Sequence, residues 1–165
     1  EPEYLSIVEK KTAVLISAAC ESAAVLGKKP QQEILALKQF GYQIGMAFQI
    51  TDDTLDYVAR EEDFGKSVGK DLEEGKMTLP LIYTLAACDP DGQEKIRAAV
   101  GRKDSYPGAV RDVFHLVQQS GGIEYALQRA EAFVVGAKEQ LNLFPGCLAT
   151  EQLLSIADYI LTRRT

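Results

Sequence analysis

The chain has 165 residues, 46% of them apolar and 25% charged, the balance of one globular domain and too apolar for a disordered segment. A formal net charge of -6 and a single histidine, His115, argue against a general nucleic-acid binder, which needs a basic face to displace counterions from phosphates. Apolar runs such as Ala13–Ala19 are interrupted by Lys11 and Glu21, well short of the ~20 residues of a membrane span, so no integral membrane segment is expected; no secretory signal opens the chain, and the expected compartment is the cytoplasm.

The chain opens on Glu1-Pro2 without a methionine, directly before a helical pattern, and so reads as a piece of something longer. Leu5, Val8, Thr12, Leu15, Ile16, Ala19 and Ala23 recur at helical spacing, and Gly27 with Pro30 gives a stop, which predicts a first helix over residues 3 to 26. Ile34, Leu37, Phe40, Ile44, Phe48 and Leu55 carry a second long helix from Gln31 to about Ala59, with no proline inside it. Gly41 and Gly45 lie one turn apart on that helix, each costing about 1 kcal/mol relative to alanine, and predict a neighbouring helix at close approach. Arg60 to Lys76 collapses into glycines and charges and is expected as a long polar loop. Met77 to Ala87 resumes as an apolar helix with Pro80 in its first turn.

Gln93–Val100, Ala109–Gln119, Ile123–Leu143 and Leu148–Leu161 follow as helices, separated by Arg102-Lys103-Asp104, Ser120-Gly121-Gly122 and Pro145-Gly146. No strand pattern competes, so the expected architecture is one all-α domain over 1–165, a bundle with two long central helices. Cys20, Cys88 and Cys147 are odd in number and lie in apolar stretches, the pattern of reduced core thiols rather than disulfides or a zinc site. His115, set in Val113-Phe114-His115-Leu116-Val117, is expected as a surface or packing residue.

The chemistry concentrates in Phe48-Gln49-Ile50-Thr51-Asp52-Asp53-Thr54-Leu55-Asp56, which places three aspartates in five residues near the end of an apolar helix. At helical spacing Asp52 and Asp56 share one face a turn apart, with Gln49 a turn earlier on the same stripe. Carboxylates so spaced repel, and near a helix C-terminus they also oppose the macrodipole. A hard divalent cation compensates both effects. Magnesium suits the pattern because it takes one or two carboxylates, keeps several waters and completes its octahedron with phosphate oxygens. A solvated helix end is the plainer reading of an isolated pattern of this kind. Its apolar surroundings, and the loop that follows, argue against that here.

That loop runs Gly65-Lys66-Ser67-Val68-Gly69-Lys70-Asp71-Leu72-Glu73-Glu74-Gly75-Lys76-Met77-Thr78-Leu79-Pro80. It is no nucleotide P-loop, since no strand precedes it and the earlier glycine of that pattern is missing. Its glycines fit a flexible lid from which Lys66 and Lys76 reach diphosphate oxygens as point charges.

Phe48-Gln49 leading into Asp52-Asp53-Thr54-Leu55-Asp56, then Gly65-Lys66, Asp71-Leu72, Glu74-Gly75-Lys76 and Thr78-Leu79-Pro80-Leu81 resemble the second aspartate-rich region of trans-type polyprenyl (isoprenyl) diphosphate synthases. Lys11-Thr12 resembles that family's Lys-Thr pair. The resemblance is strong from Gly41 to Leu81 and is one of helical texture alone after about Cys88. It implies a helical bundle of the isoprenoid synthase type, of which this chain is the C-terminal half of a longer polyprenyl synthetase domain. The implied activity is Mg2+-dependent prenyl transfer, in which isopentenyl diphosphate condenses with an allylic diphosphate to lengthen a polyprenyl chain.

By the same resemblance Asp52 is the principal metal ligand, supported by Asp53 and Asp56. Lys11, Lys66 and Lys76 contact diphosphate oxygens, Thr12 and Gln49 line the allylic site, and Asp71 acts through water behind the ligands. Asp52 and Lys66 are the residues expected to matter most for catalysis, Phe48 is a wall, and a homodimer or homo-oligomer is implied. The family's first aspartate-rich motif and the arginines after it have no counterpart in this chain, so catalysis is expected of the full-length protein, and product length is not written in these residues. The alternative class is a non-catalytic regulatory or binding subunit of a heteromeric polyprenyl diphosphate synthase. A terpene cyclase would need an Asn/Asp, Ser/Thr, Glu arrangement that the sequence lacks. Loss of half a bundle would also leave apolar faces exposed, which predicts self-association.

Overall fold

The structure, a computed structural model, describes residues 1–58, 70–101 and 108–163, and no strand occurs among them. The helices are α1 (Pro2–Val8), a π-helical turn (Glu9–Ala13), α2 (Val14–Leu26), α3 (Gln31–Leu55), α4 (Lys70–Glu73), α5 (Leu79–Ala87), α6 (Pro90–Ala99), α7 (Ala109–Ser120), α8 (Gly122–Gln140), a 3-10 turn (Leu141–Leu143) and α9 (Leu148–Thr162). The chain is all-α, as the periodicity predicts. It divides into two compact units, Pro2–Thr51 with Gln128–Thr165, and Glu1 with Asp52–Leu127.

The larger unit is built on α3. Phe40, Ile44 and Ala47 of α3 pack with Val134 and Ala137 of α8, Leu141, and Ala157 and Ile160 of α9, with Ile16 and Cys20 of α2 against the same core. Burying each of Phe40, Ile44, Val134, Leu141 and Ile160 stabilises by about 1.5–3 kcal/mol, which outweighs the glycine cost within α3. That glycine cost has the expected cause. A Cβ built on Gly41 would lie 2.7 Å from the Ile16 carbonyl oxygen, and one on Gly45 only 2.5 Å from the Ala13 Cα.

The first helix departs from the continuous one predicted. The Val14 N–H bonds to the Glu9 carbonyl, five residues back, so one extra residue is taken into the turn between α1 and α2. The buried positions run Tyr4, Val8, Ala13 and Ser17, with a step of five where the π-turn lies. That step rotates the inward stripe. Leu15, expected to face inward, is 74% exposed, and Ala19 and Ala23 are exposed as well. Ile7, Val14 and Leu26 are also exposed apolar residues of this segment.

The smaller unit gathers Tyr57, Leu72, Leu81, Ile96, Ala99, Ala109, Val113, Phe114 and Val117 into one core. Its helices start and stop as the sequence directs. Asp89 caps α6 by accepting from the Gly92 N–H at 2.8 Å, with Pro90 in the first turn. The interval expected as loop contains α4, and α4 ends in a Schellman cap: the Lys76 N–H bonds to the Asp71 carbonyl and the Gly75 N–H to the Leu72 carbonyl. Gly75 has φ +76°, the left-handed conformation that this cap requires. All three cysteines are free, as expected; Cys20 and Cys88 are half-buried and pack against the cores of the two units, whereas Cys147, ahead of α9, is exposed and is no core thiol. His115 is on the surface.

Candidate active site

In the larger unit the π-turn carries Lys11, exposed, and Thr12, half-buried. The Thr12 hydroxyl donates to Gln49 Oε1 at 2.7 Å, so two residues distant in sequence and expected at one site are joined directly. Gln49 is buried, 7% exposed, and a buried amide keeps its place only through such partners. Phe48, next to it, is 37% exposed. The Arg163 guanidinium sits 4.2 Å from the centre of its ring and donates to the Phe48 carbonyl at 3.2 Å, a cation–π contact backed by a hydrogen bond. Nothing in the sequence pattern pointed to Arg163, which lies far from the motif.

In the smaller unit Asp52 is exposed on the last turn of α3, Asp53 is half-buried beside it, and Asp56 is half-buried just beyond the helix end. The chain then turns through bonds from the Tyr57 N–H to Thr54 and from the Val58 N–H to Leu55. Tyr57 is fully buried and its ring packs on Phe114 at 5.1 Å. Its phenol oxygen accepts from the Thr78 hydroxyl at 3.0 Å, tying the end of the aspartate segment to the start of α5. Burial pushes the Tyr57 phenol well above the usual tyrosine range. The Thr78 hydrogen bond opposes that shift, and the negative charges of Asp56, Asp71 and Asp53 add to it. Three of the expected carboxylates therefore act electrostatically on one phenol.

Asp71, half-buried on α4, and Glu74 both hold Lys76, each at 2.7 Å from its ammonium. These hydrogen bonds, Asp71 first, raise the Lys76 pKa above its ordinary value. Lys66, with Gly65 and Ser67, lies outside the described residues.

Among the described residues no three acids, thiols or imidazoles converge on a closed metal cage. The donor chemistry instead suits an open site. Asp52, Asp53 and Asp56 offer hard carboxylate oxygens at the end of one helix, and magnesium needs only one or two of them with water and phosphate oxygens completing the shell. The arrangement fits the ion that the sequence implies.

A model of the polyprenyl synthetase family matches residues 1–117, from α1 through the π-turn and the aspartate segment into α7. The chain belongs to this family. Over 163 residues it is 40% identical to the short chain isoprenyl diphosphate synthase of Methanothermobacter thermautotrophicus, spanning 99% of this chain and 50% of that protein. It is 32% identical to heptaprenyl diphosphate synthase component 2 of Bacillus subtilis, over 98% of this chain and 45% of that protein. Among solved structures, the polyprenyl synthase of Caulobacter crescentus CB15, complexed with calcium and isoprenyl diphosphate, superposes with a TM-score of 0.91 at 36% identity, over 100% of this chain and 50% of that one. This polyprenyl synthetase chain thus spans about half the length of the relatives it matches. The likeness extends beyond the Gly41–Leu81 stretch to the far end of the chain. No described helix is long and apolar enough to cross a membrane.

Proposed function

We propose that this chain is the half of a trans-type polyprenyl diphosphate synthase that carries the second metal-binding aspartate set, and that the full-length protein condenses isopentenyl diphosphate with an allylic diphosphate. The observation that carries the reading is the aspartate triplet Asp52, Asp53 and Asp56 at the end of α3, in a chain of the polyprenyl synthetase family. Asp52, the exposed member, is the principal magnesium ligand, with Asp53 and Asp56 in support. Lys11 and Lys66 hold diphosphate oxygens. Thr12 and Gln49 line the allylic site, and Asp71 acts behind the ligands while it pairs with Lys76.

Bound magnesium supplies the positive charge that stabilises a departing diphosphate. The protein's own task is to place that charge and to orient the substrates. Lys11 donates to phosphate oxygens from the open side of the π-turn. Thr12, held by Gln49, keeps the turn against α3. No side-chain nucleophile is required, because ionisation of the allylic diphosphate gives a carbocation that the double bond of isopentenyl diphosphate attacks. No candidate base for the final proton loss stands in the sequence, and departing diphosphate can fill that role. A cytoplasmic homodimer or homo-oligomer completes the reading; a clean monomer of the intact gene product in light scattering would contradict it, while the exposed apolar residues Ile7, Leu15 and Leu26 fit the self-association expected of this half alone.

The test is prenyl transfer with magnesium by the intact gene product beside this chain alone. Asp52→Ala is expected to lower kcat/KM at least about a hundredfold, the loss that follows when several kcal/mol of charge stabilisation are removed. Undiminished transfer by that variant sinks the reading. A second reading is a non-catalytic subunit of a heteromeric synthase; the likeness to the component 2 protein of Bacillus subtilis supports the heteromeric part of it alone. It predicts copurification with a second synthase chain and no transfer without it.

A further inference from the structure

Gly41 and Gly45 both face the first helix, but they meet different parts of it. A Cβ on Gly41 would strike the Ile16 carbonyl oxygen at 2.7 Å and the Cys20 sulfur at 2.8 Å, both on the regular helix α2. A Cβ on Gly45 would strike the Cα of Ala13 at 2.5 Å, its Cβ at 3.1 Å and its nitrogen at 3.2 Å. Ala13 closes the π-turn and is fully buried, and the residues just before it are Lys11 and Thr12. The clash is with main chain, so no flexible side chain can move aside to relieve it.

One turn beyond Gly45 on α3, Gln49 receives the Thr12 hydroxyl at 2.7 Å. The π-turn is therefore gripped by α3 at two points, the bare Cα of Gly45 and the amide of Gln49. A π-turn bulges one residue out of the helical path, and such turns recur at functional sites. Here the bulge needs space on the neighbouring helix, and Gly45 supplies it.

We propose that Gly45 is a positioning residue: its missing side chain lets the π-turn close on α3 at the distance that joins Thr12 to Gln49 and sets Lys11 towards diphosphate. The proposal rests on the functional reading above. A methyl group at position 45 pushes Ala13 away, lengthens a hydrogen bond that weakens steeply once its geometry is lost, and shifts Lys11 with it. Gly41 provides the contrast, because it makes the same helix crossing possible without touching the turn.

The experiment compares Gly45→Ala and Gly41→Ala in the intact gene product, by calorimetric binding of inorganic diphosphate with magnesium, by KM and kcat for an allylic diphosphate, and by thermal unfolding. Both variants should melt earlier. Gly45→Ala alone should weaken diphosphate binding about tenfold or more and raise KM more than it lowers kcat, since misplacing a binding group by about 1 Å costs up to about a hundredfold. Equal losses in both variants, or wild-type affinity in Gly45→Ala, overturn the proposal. Should Gly45→Ala not fold, Ala13→Gly, which loosens the π-turn while leaving the crossing open, must weaken diphosphate binding in the same direction; unchanged affinity overturns the proposal too. A wild-type protein that binds no diphosphate removes the functional reading and this proposal together, whereas wild-type binding with equal losses removes this proposal alone.

Discussion

Lys11, on the π-turn, and Lys76, just past the cap of α4, are both exposed lysines, and their electrostatic surroundings differ. Lys76 lies between Asp71 and Glu74, each at 2.7 Å from its ammonium, on a cap whose backbone bonds are complete. Lys11 stands on the π-turn with no ion pair among the described residues. A lysine already compensated by two carboxylates adds little net positive potential for an incoming anion, and it holds those carboxylates in place. An uncompensated lysine offers its full charge. Under the proposed function, the difference favours the turn at Lys11 over Lys76 as the place where diphosphate binds, and Lys76 as a group that orders the end of α4.

The strongest way to break this comparison is Lys11→Ala. Charge-assisted hydrogen bonds contribute about 1.5–3 kcal/mol, so the variant should bind inorganic diphosphate about ten- to a hundredfold more weakly in the intact gene product, with its melting temperature nearly unchanged. Affinity equal to wild type in a calorimetric titration would remove Lys11 from the site.

Why the two lysines look alike in sequence is itself physical. Helical period, glycine stops and proline starts were legible because each follows from local sterics, and they located α3, α5, α7 and α9 to within a few residues. The pair Gly41 and Gly45 was legible as a close crossing because two glycines in a buried helix interior need a packing reason. The π-turn was not. One inserted residue leaves composition untouched and only changes phase, so the unbroken helical period puts Leu15 on the buried side although it is exposed. The Lys76 ion pairs were equally hidden, because whether a lysine five residues from an aspartate meets it depends on how the helix between them ends. For the candidate site, the aspartates, Thr12 and Gln49 could be named from pattern and resemblance, whereas the bonds Thr12 to Gln49 and Thr78 to Tyr57, and the contacts of Tyr57 and Arg163, became visible only in the structure.

A smaller effect sharpens the comparison at the cap itself. Gly75 has φ +76°, and a Cβ there would also lie 3.3 Å from the Gly101 Cα. Gly75→Ala should therefore cost about 1–2 kcal/mol, the penalty of a left-handed non-glycine residue, read as a lower denaturant midpoint. If Lys76 serves mainly to order the end of α4, disturbing the cap should lower stability and leave diphosphate affinity close to wild type. A tenfold loss of affinity at unchanged stability would show that the cap presents Lys76 to the ligand after all.

The smallest effect expected is that of Lys76→Ala. Its partners are partly open to solvent, with Asp71 and Glu74 side chains 21% and 44% exposed and Lys76 itself 50% exposed. Pairs of this kind contribute about 0–1 kcal/mol each, and salt screens them. The Lys76 N–H that completes the cap is main chain and survives the substitution, so α4 should keep its end. What is lost is compensation of two neighbouring carboxylates. The melting temperature should fall by a few degrees at low ionic strength, and the difference from wild type should shrink at 1 M salt, with diphosphate binding nearly unaltered. A loss of affinity as large as that of Lys11→Ala would mean that Lys76 leaves its carboxylates when the anion arrives; the two lysines would then differ only before the ligand binds.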